Sequence, residues 1–283
     1  MRVESYSPLE HLGRVVFGSR YSSESIFAMF AAYFDEAGGD DLGFLIVAGY
    51  VATIEQWQNF EIDWKLFLAK FDVPCLHMKW YSQNKKCFAK FEGNESLRAR
   101  FLGTAAEIIG AHAKRCFISI VSIKDFAEVD QTYALSDSLK SPYALAGRSV
   151  VGLANNWARN PQTKTLDIEY VFEDGGPDKG GLISAVEALP PYLPAPSFKP
   201  GRNIEPSNKW PQGRIGLVQL QAADYLAYEV RKIAYDIVTN KRREPRKSLM
   251  ALTRVAYDKS SWDTQRLIRL CQGANFTLRK QPA

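Results

Sequence analysis

The sequence predicts an α/β fold built on a mixed five-stranded sheet flanked by helices. Residues 28–35 are apolar on both faces, as a central strand covered on both sides requires. A turn at Gly38-Gly39-Asp40-Asp41 joins that strand to a second apolar run, Gly43 to Val51, and so predicts a hairpin. Beyond the hairpin, strand-like runs alternate with segments of helical period, the pattern of an α/β sheet.

The remaining elements follow in order. Thr53 is a candidate N-cap, and Trp57, Phe60, Trp64 and Phe67 recur at helical spacing through Ile54 to Lys70. Pro74 to Met78 predicts a short third strand. Ser96 is expected to cap a helix running to about Ala113, and Cys116 to Ile123 forms a fourth strand. Pro142 suits the first turn of a helix ending near Ala158. Leu166 to Phe172 reads as a fifth strand, and Leu182 to Leu189 as a short helix. Residues 190–213 hold seven of the fourteen prolines, and a loop of this length is usually functional or disordered. Leu217 to Val238 is the last long helix. A basic run, 241–247, leads to two weaker helices near 247–257 and 262–272. The organisation expected is an N-terminal extension (1–27), a main domain (28–240) and a helical appendage (241–283).

Composition narrows the class. With 283 residues, 46% of them hydrophobic, the chain can bury a real core. A net charge of +5 is compatible with a polyanionic partner without demanding one. The four cysteines, Cys75, Cys87, Cys116 and Cys271, include no C-x-x-C pair, so neither a zinc ribbon nor a redox motif is indicated. A reduced, cytoplasmic protein is the expectation. No apolar run approaches the ~20 residues that span a bilayer, and no secretory signal is expected. Walker A, G-x-G-x-x-G and G-x-S-x-G sequences are absent.

Acids at the ends of apolar elements carry the functional reading. Tyr33-Phe34-Asp35-Glu36-Ala37-Gly38 ends the first strand, Val171-Phe172-Glu173-Asp174-Gly175-Gly176 ends the fifth, and Gln219 to Tyr225 places Asp224 early on the last long helix. A carboxylate beside a core segment is costly unless its charge is compensated. Several converging carboxylates repel one another, and a divalent cation relieves that repulsion. Strand alternation puts Asp35 on the face of Tyr33 and Glu36 on the other. The same alternation puts Asp174 in line with Ile168, Tyr170 and Phe172, while Glu173 reaches the site from a frayed strand end. Each acid alone also fits a bland role. Asp35 and Asp174 precede glycines as turn formers do, and Asp224 complements a helix dipole for ~0.5 kcal/mol.

Three motifs then resemble a known group. Tyr33-Phe34-Asp35-Glu36-Ala37-Gly38, Leu76-His77-Met78-Lys79 and Leu220-Gln221-Ala222-Ala223-Asp224-Tyr225-Leu226-Ala227 look like hallmarks of the bacterial domain-of-unknown-function family 3800, placed among ribonuclease-H-like folds. The resemblance covers about residues 28–238. It implies a ribonuclease-H-like sheet whose acids come from the first strand, a later strand and the last long helix and bind Mg²⁺ or Mn²⁺. On this chain those acids are Asp35, with Glu36, then one or both of Glu173 and Asp174, and Asp224. In many such enzymes the middle acid ends the fourth strand, which makes Asp125 a competitor.

Mg²⁺ and Mn²⁺ take hard oxygen donors, which suits an acid cluster without cysteine. His77 and Lys79 share a strand face in this reading. His77 is a candidate proton shuttle or phosphate ligand, and Lys79 a candidate contact to the scissile phosphate. Around them four lysines interleave with four aromatics, Trp80, Tyr81, Phe88 and Phe91. Lys79, Lys85, Lys86 and Lys90 would neutralise phosphates while the rings stack on bases. Arg242 and Arg243 form a second candidate phosphate-tracking patch. The function expected is a metal-dependent nuclease or phosphodiesterase acting on DNA or RNA. Two alternatives stand beside it: a non-catalytic module of a defence or toxin-type system, binding nucleic acid or a protein partner, and a small-molecule phosphohydrolase.

Overall fold

The computed structural model describes residues 29–159, 167–189, 193–208, 211–241, 243–274, 276 and 278. The extension expected at 1–27 and the candidate Arg242 lie outside the described residues.

The described residues begin with β1 (Phe30–Gly39) and β2 (Phe44–Thr53), an antiparallel hairpin. Two glycines permit it. Gly38 has a φ of 102°, and a Cβ there would stand 2.3 Å from Phe44 O. Gly49 lets β2 press against β1, because a Cβ there would lie 1.8 Å from Tyr33 O. Thr53 then caps α1 (Ile54–Lys70), with a reciprocal capping box to Gln56.

A short helix, α2 (Met78–Ser82), a 3-10 segment (Lys86–Phe91) and α3 (Glu95–His112) follow, with Asn94 rather than Ser96 capping α3. Next come β3 (Arg115–Ser122), α4 (Ile123–Thr132), α5 (Leu135–Leu139) and α6 (Pro142–Ala158), with Pro142 in the first turn of α6 as expected. The chain continues through β4 (Ile168–Glu173), α7 (Lys179–Glu187), β5 (Ser197–Lys199) and α8 (Val218–Val238). It closes with α9 (Lys247–Leu252), β6 (Tyr257–Trp262) and α10 (Thr264–Gly273).

Among the described residues the sheet has six strands in the order β5-β4-β1-β2-β3-β6. β2 runs antiparallel to β1 and β3, whereas β4 is parallel to β1, β5 to β4 and β6 to β3. The α/β class and the mixed sheet are as expected, but the strand set differs. Residues 74–78 form no strand. They run extended into α2, held by side chains from α8 rather than by a ladder. β5 and β6 take the two edges, so residues 241–283 supply a strand as well as helices. Both edge strands lack the apolar alternation that marks a strand in sequence, since Ser197, Lys199 and Asp258 to Ser261 are polar.

Two apolar layers cover the sheet. Tyr33, Tyr50, Trp57, Trp64, Phe101 and Leu226 pack on the face lined by α1, α3 and α8. Phe34, Phe117, Leu145, Val150 and Phe172 pack on the face lined by α6. The central strands are therefore buried on both sides, which is why residues 30–34 show no polar face. No helix among the described residues is long and apolar enough to cross a membrane.

Candidate active site

Parallel pairing brings two acids together. Phe34 pairs with Phe172 across β1 and β4, so the next residues, Asp35 within β1 and Glu173 at the end of β4, stand side by side at the edge where the β1–β4 ladder ends. By strand alternation both continue the face of Tyr33 and Val171, the face that α8 covers. Helix α8 crosses that edge with Asp224 in its second turn. Asp35, Glu36, Glu173 and Asp224 accordingly line one cavity of about 670 Å³, together with Asp41, Asp174, His77, Lys79, Arg202 and Arg231.

The acids sense one another. Burial drives the Asp35 carboxyl well above the usual carboxylate range, and the charges of Glu36, Asp224 and Glu173 push it further. The Glu36 N–H donates to Asp35 Oδ1 at 2.8 Å. Burial also raises Glu36, and Asp224 adds to that rise. Glu173 is lifted to about 7, first by burial and then by Asp224 and Glu36, against the opposing Gly201 N–H. Both Asp35 and Glu36 keep part of their surface open to the cavity.

Asp174 is placed differently. It lines the cavity just beyond the end of β4, but its two oxygens pair with Lys179 and Arg214. The sequence reading that Asp174 has most to gain from a cation therefore meets a charge that two side chains already compensate. Asp125 is also remote from the cavity: its carboxylate accepts the Thr264 N–H at 3.2 Å at the start of α10.

Asp224 holds the segment before α2. Its Oδ2 accepts the Met78 N–H at 2.8 Å and lies 3.2 Å from His77 Nδ1. His77 is the N-cap of α2 and Lys79 sits in its first turn, so the two do not share a strand face, yet both line the cavity. Gln221, one turn before Asp224, does more than the sequence indicated. Its Oε1 accepts from Trp64 Nε1 and from Leu76 N, each at 2.9 Å, and its Nε2 donates to Gly201 O at 2.7 Å. One buried amide thus ties α1, the 75–77 segment and the loop before α8 to the helix that carries Asp224.

That loop supplies a cation the sequence reading missed. Its frame is set by Leu217 N donating to Pro200 O at 2.7 Å and by the paired bonds between Ile204 and Arg214. Gly216 packs so tightly on Arg202 that a Cβ would come within 2.3 Å of its backbone. Arg202 lies over the Trp80 ring at 4.8 Å, and Lys86 approaches the same ring at 5.7 Å. Arg202 and Arg231 have no sequence signature of their own. The seven prolines were the one signal that the 190–213 loop is more than a linker.

The expected base-stacking strip is not available. Tyr81, Phe88 and Phe91 are buried around Phe101, and Trp80 is covered by Arg202 and Lys86. Lys90 is turned away from the cavity onto Asp72, 2.8 Å from its carboxylate. Lys85 and Arg243 are exposed and line no part of the cavity.

No three His, Cys, Asp or Glu groups among the described residues are spaced to hold a metal ion as they stand. The donor chemistry nonetheless fits a hard divalent cation. Three carboxylates with repelling charges, Asp35, Glu173 and Asp224, face one desolvated space with no lysine or arginine paired to Asp35 or Glu173 among the described residues. Comparison of the chain with family models, with curated proteins and with solved structures returns no match.

Proposed function

We propose that this protein is a divalent-metal-dependent phosphodiesterase that cleaves nucleic acid. The observation that carries the proposal is the convergence of Asp35, Glu173 and Asp224 on one cavity rimmed by Lys79, Arg202 and Arg231. The ribonuclease-H-like reading calls for acids from the first strand, a later strand and the last long helix. Asp35 on β1, Glu173 on β4 and Asp224 on α8 answer to that order, and the similarity to family 3800 rests on the same motifs.

In this reading Asp35, Glu173 and Asp224 hold Mg²⁺ or Mn²⁺, with Glu36 beside them. The bound metal supplies an activated water and charge stabilisation for the leaving oxygen. The chain supplies the rest. Burial first, and then the charges of neighbouring carboxylates, favour the protonated forms of Asp35, Glu36 and Glu173, so a bound cation would displace protons from these groups. His77, oriented by Asp224 through Nδ1, presents its other ring nitrogen for proton exchange. Lys79, Arg202 and Arg231 draw the phosphate to the acid cavity, and the stack on Trp80 lowers the freedom Arg202 would lose on binding.

The test is incubation of the purified protein with single- and double-stranded DNA and RNA, with Mg²⁺ or Mn²⁺. Metal-dependent cleavage that disappears in Asp35→Asn and Asp224→Asn is the expected result. A second reading is favoured by the size of the cavity, which lies within the range of small-ligand sites. That reading is a phosphohydrolase for nucleotides, and phosphate release without polymer cleavage would select it.

A further inference from the structure

A second and larger cavity, of about 1160 Å³, opens between α3 and α9. Among the described residues five cations line it, Arg98, Lys114, Arg246, Lys247 and Arg254, against two acids, Glu95 and Glu107. Two of the cations have fixed positions. Arg246 is held 3.3 Å from Glu229, whose side chain is fully buried. Arg98 lies over the Tyr81 ring at 4.4 Å and donates to Asn84. Lys114, Lys247 and Arg254 are exposed at the rim.

This groove neighbours the acid cavity. Tyr81 of α2 faces the groove while Lys79 and Ser82 of the same short helix face the acids. On α8, Tyr225 lines the groove while Asp224 and Tyr228 line the acid cavity. The wall between the two is therefore about one helix thick, ~10–12 Å. A single nucleotide seated at the acids does not reach across it, whereas a chain of nucleotides does. The path also turns over that wall within a helix diameter. Duplex DNA, with a persistence length of ~50 nm, resists such a turn, and a single strand does not.

Resting on the phosphodiesterase reading, we propose that the substrate is a single-stranded nucleic acid whose chain runs from the acid cavity over α2 into this basic groove. The groove cations track phosphates beyond the point of cleavage. They give length dependence and salt dependence, and they carry no base preference.

The experiment measures binding in the Asp35→Asn protein, so that no cleavage intervenes. A labelled single strand of about 16 nucleotides, the upper end of single-strand site sizes, is compared with a trinucleotide by competition. The variant is Lys114→Gln, Lys247→Gln and Arg254→Gln together, all at exposed positions, with an unchanged melting temperature as the check on folding. Loss of three phosphate contacts lowers the slope of log affinity against log salt by about 2 for the long strand, and lowers its affinity tenfold or more at low salt. The trinucleotide keeps its affinity, and replacing the three residues with the other basic residue (Lys114→Arg, Lys247→Arg, Arg254→Lys) restores the long strand. Equal losses for both lengths, no loss for either, tighter binding of a duplex, or equal competition by polyglutamate would each overturn the proposal. Cleavage by the unmodified protein is scored separately. Groove-dependent binding without any cleavage contradicts the phosphodiesterase reading and leaves the groove standing, and cleavage indifferent to the groove variant does the reverse.

Discussion

Asp224 stands 3.2 Å from His77 Nδ1, and the same oxygen accepts the Met78 N–H. One carboxylate therefore joins α8 to the start of α2 and orients the only imidazole that lines the cavity among the described residues. Its role in the site and its role in the fold are separable, because only one oxygen makes these contacts.

Asp224→Asn keeps an oxygen that can accept the Met78 N–H. The expected change in stability is within about 1 kcal/mol. Cleavage in Mn²⁺ should fall by about 100-fold or more, since removing one oriented charge at a reacting centre commonly costs that much. Urea denaturation and a cleavage assay on the same preparation check both halves.

Gln221→Leu removes an amide with three buried hydrogen bonds. Leu76 N, Trp64 Nε1 and Gly201 O lose their partner, and each stranded group costs about 1–3 kcal/mol. The expected loss is about 3 kcal/mol or more in chemical denaturation. Gln221→Glu keeps both acceptor contacts but loses the bond to Gly201 O and adds a negative charge near Asp224.

Glu173 and Asp174 adjoin in sequence and both line the cavity, but among the described residues Asp174 alone of the two is paired to lysine and arginine. Glu173→Gln should abolish the rise in melting temperature that Mn²⁺ produces, which at about 100 times the dissociation constant amounts to ~2.7 kcal/mol. Asp174→Asn should retain that rise while lowering the metal-free melting temperature, because Lys179 and Arg214 lose their shared partner. Thermal shifts with and without Mn²⁺ distinguish the two. The opposite pattern would make Asp174 the ligand.

The pH dependence of stability should be unusual. Glu169 is buried on β4 with Oε1 lacking a hydrogen bond, and burial lifts it from its ordinary 4.5 to about 7 despite Lys199. A carboxyl with a raised folded pKa binds more protons in the folded state. Stability is then fully present below about pH 4.5 and declines as pH rises toward 7. Glu173 moves the same way. Glu169 alone corresponds to about 3 kcal/mol across that window. Melting temperature should fall between these limits, and Glu169→Gln should flatten the fall. A melting temperature that climbs through the window would contradict this.

The sequence revealed the parts of the fold that depend on local chemistry. The hairpin follows from Gly38 and the two apolar runs, α1 from Thr53 and its aromatic stripe, and α6 from Pro142 in its first turn. It did not reveal β5 and β6, whose residues are polar and whose pairing is made by distant neighbours. The 74–78 segment misled because an apolar run next to a proline reads as a strand, whereas Gln221 and Asp224 claim its backbone donors. Among the site residues, Asp35, Glu36, His77, Lys79, Glu173 and Asp224 were all candidates, since acids at element ends are visible in one dimension. The choice between Glu173 and Asp174 was not visible, because it turns on where the strand ends and on which cations fold onto it. Arg202 and Gln221 gain their meaning only from contacts with Trp80, Trp64 and Gly201.

In the proposed function Asp35, Glu173 and Asp224 share a cation. Calorimetric titration of Mn²⁺ into the unmodified protein and into Asp35→Asn and Asp224→Asn, at about pH 7.5 in two buffers of different ionisation heat, tests it most directly. The expected result is saturable binding to the unmodified protein with release of protons, weakened about tenfold or more in each variant. Absence of binding, or binding that neither substitution weakens, would contradict it.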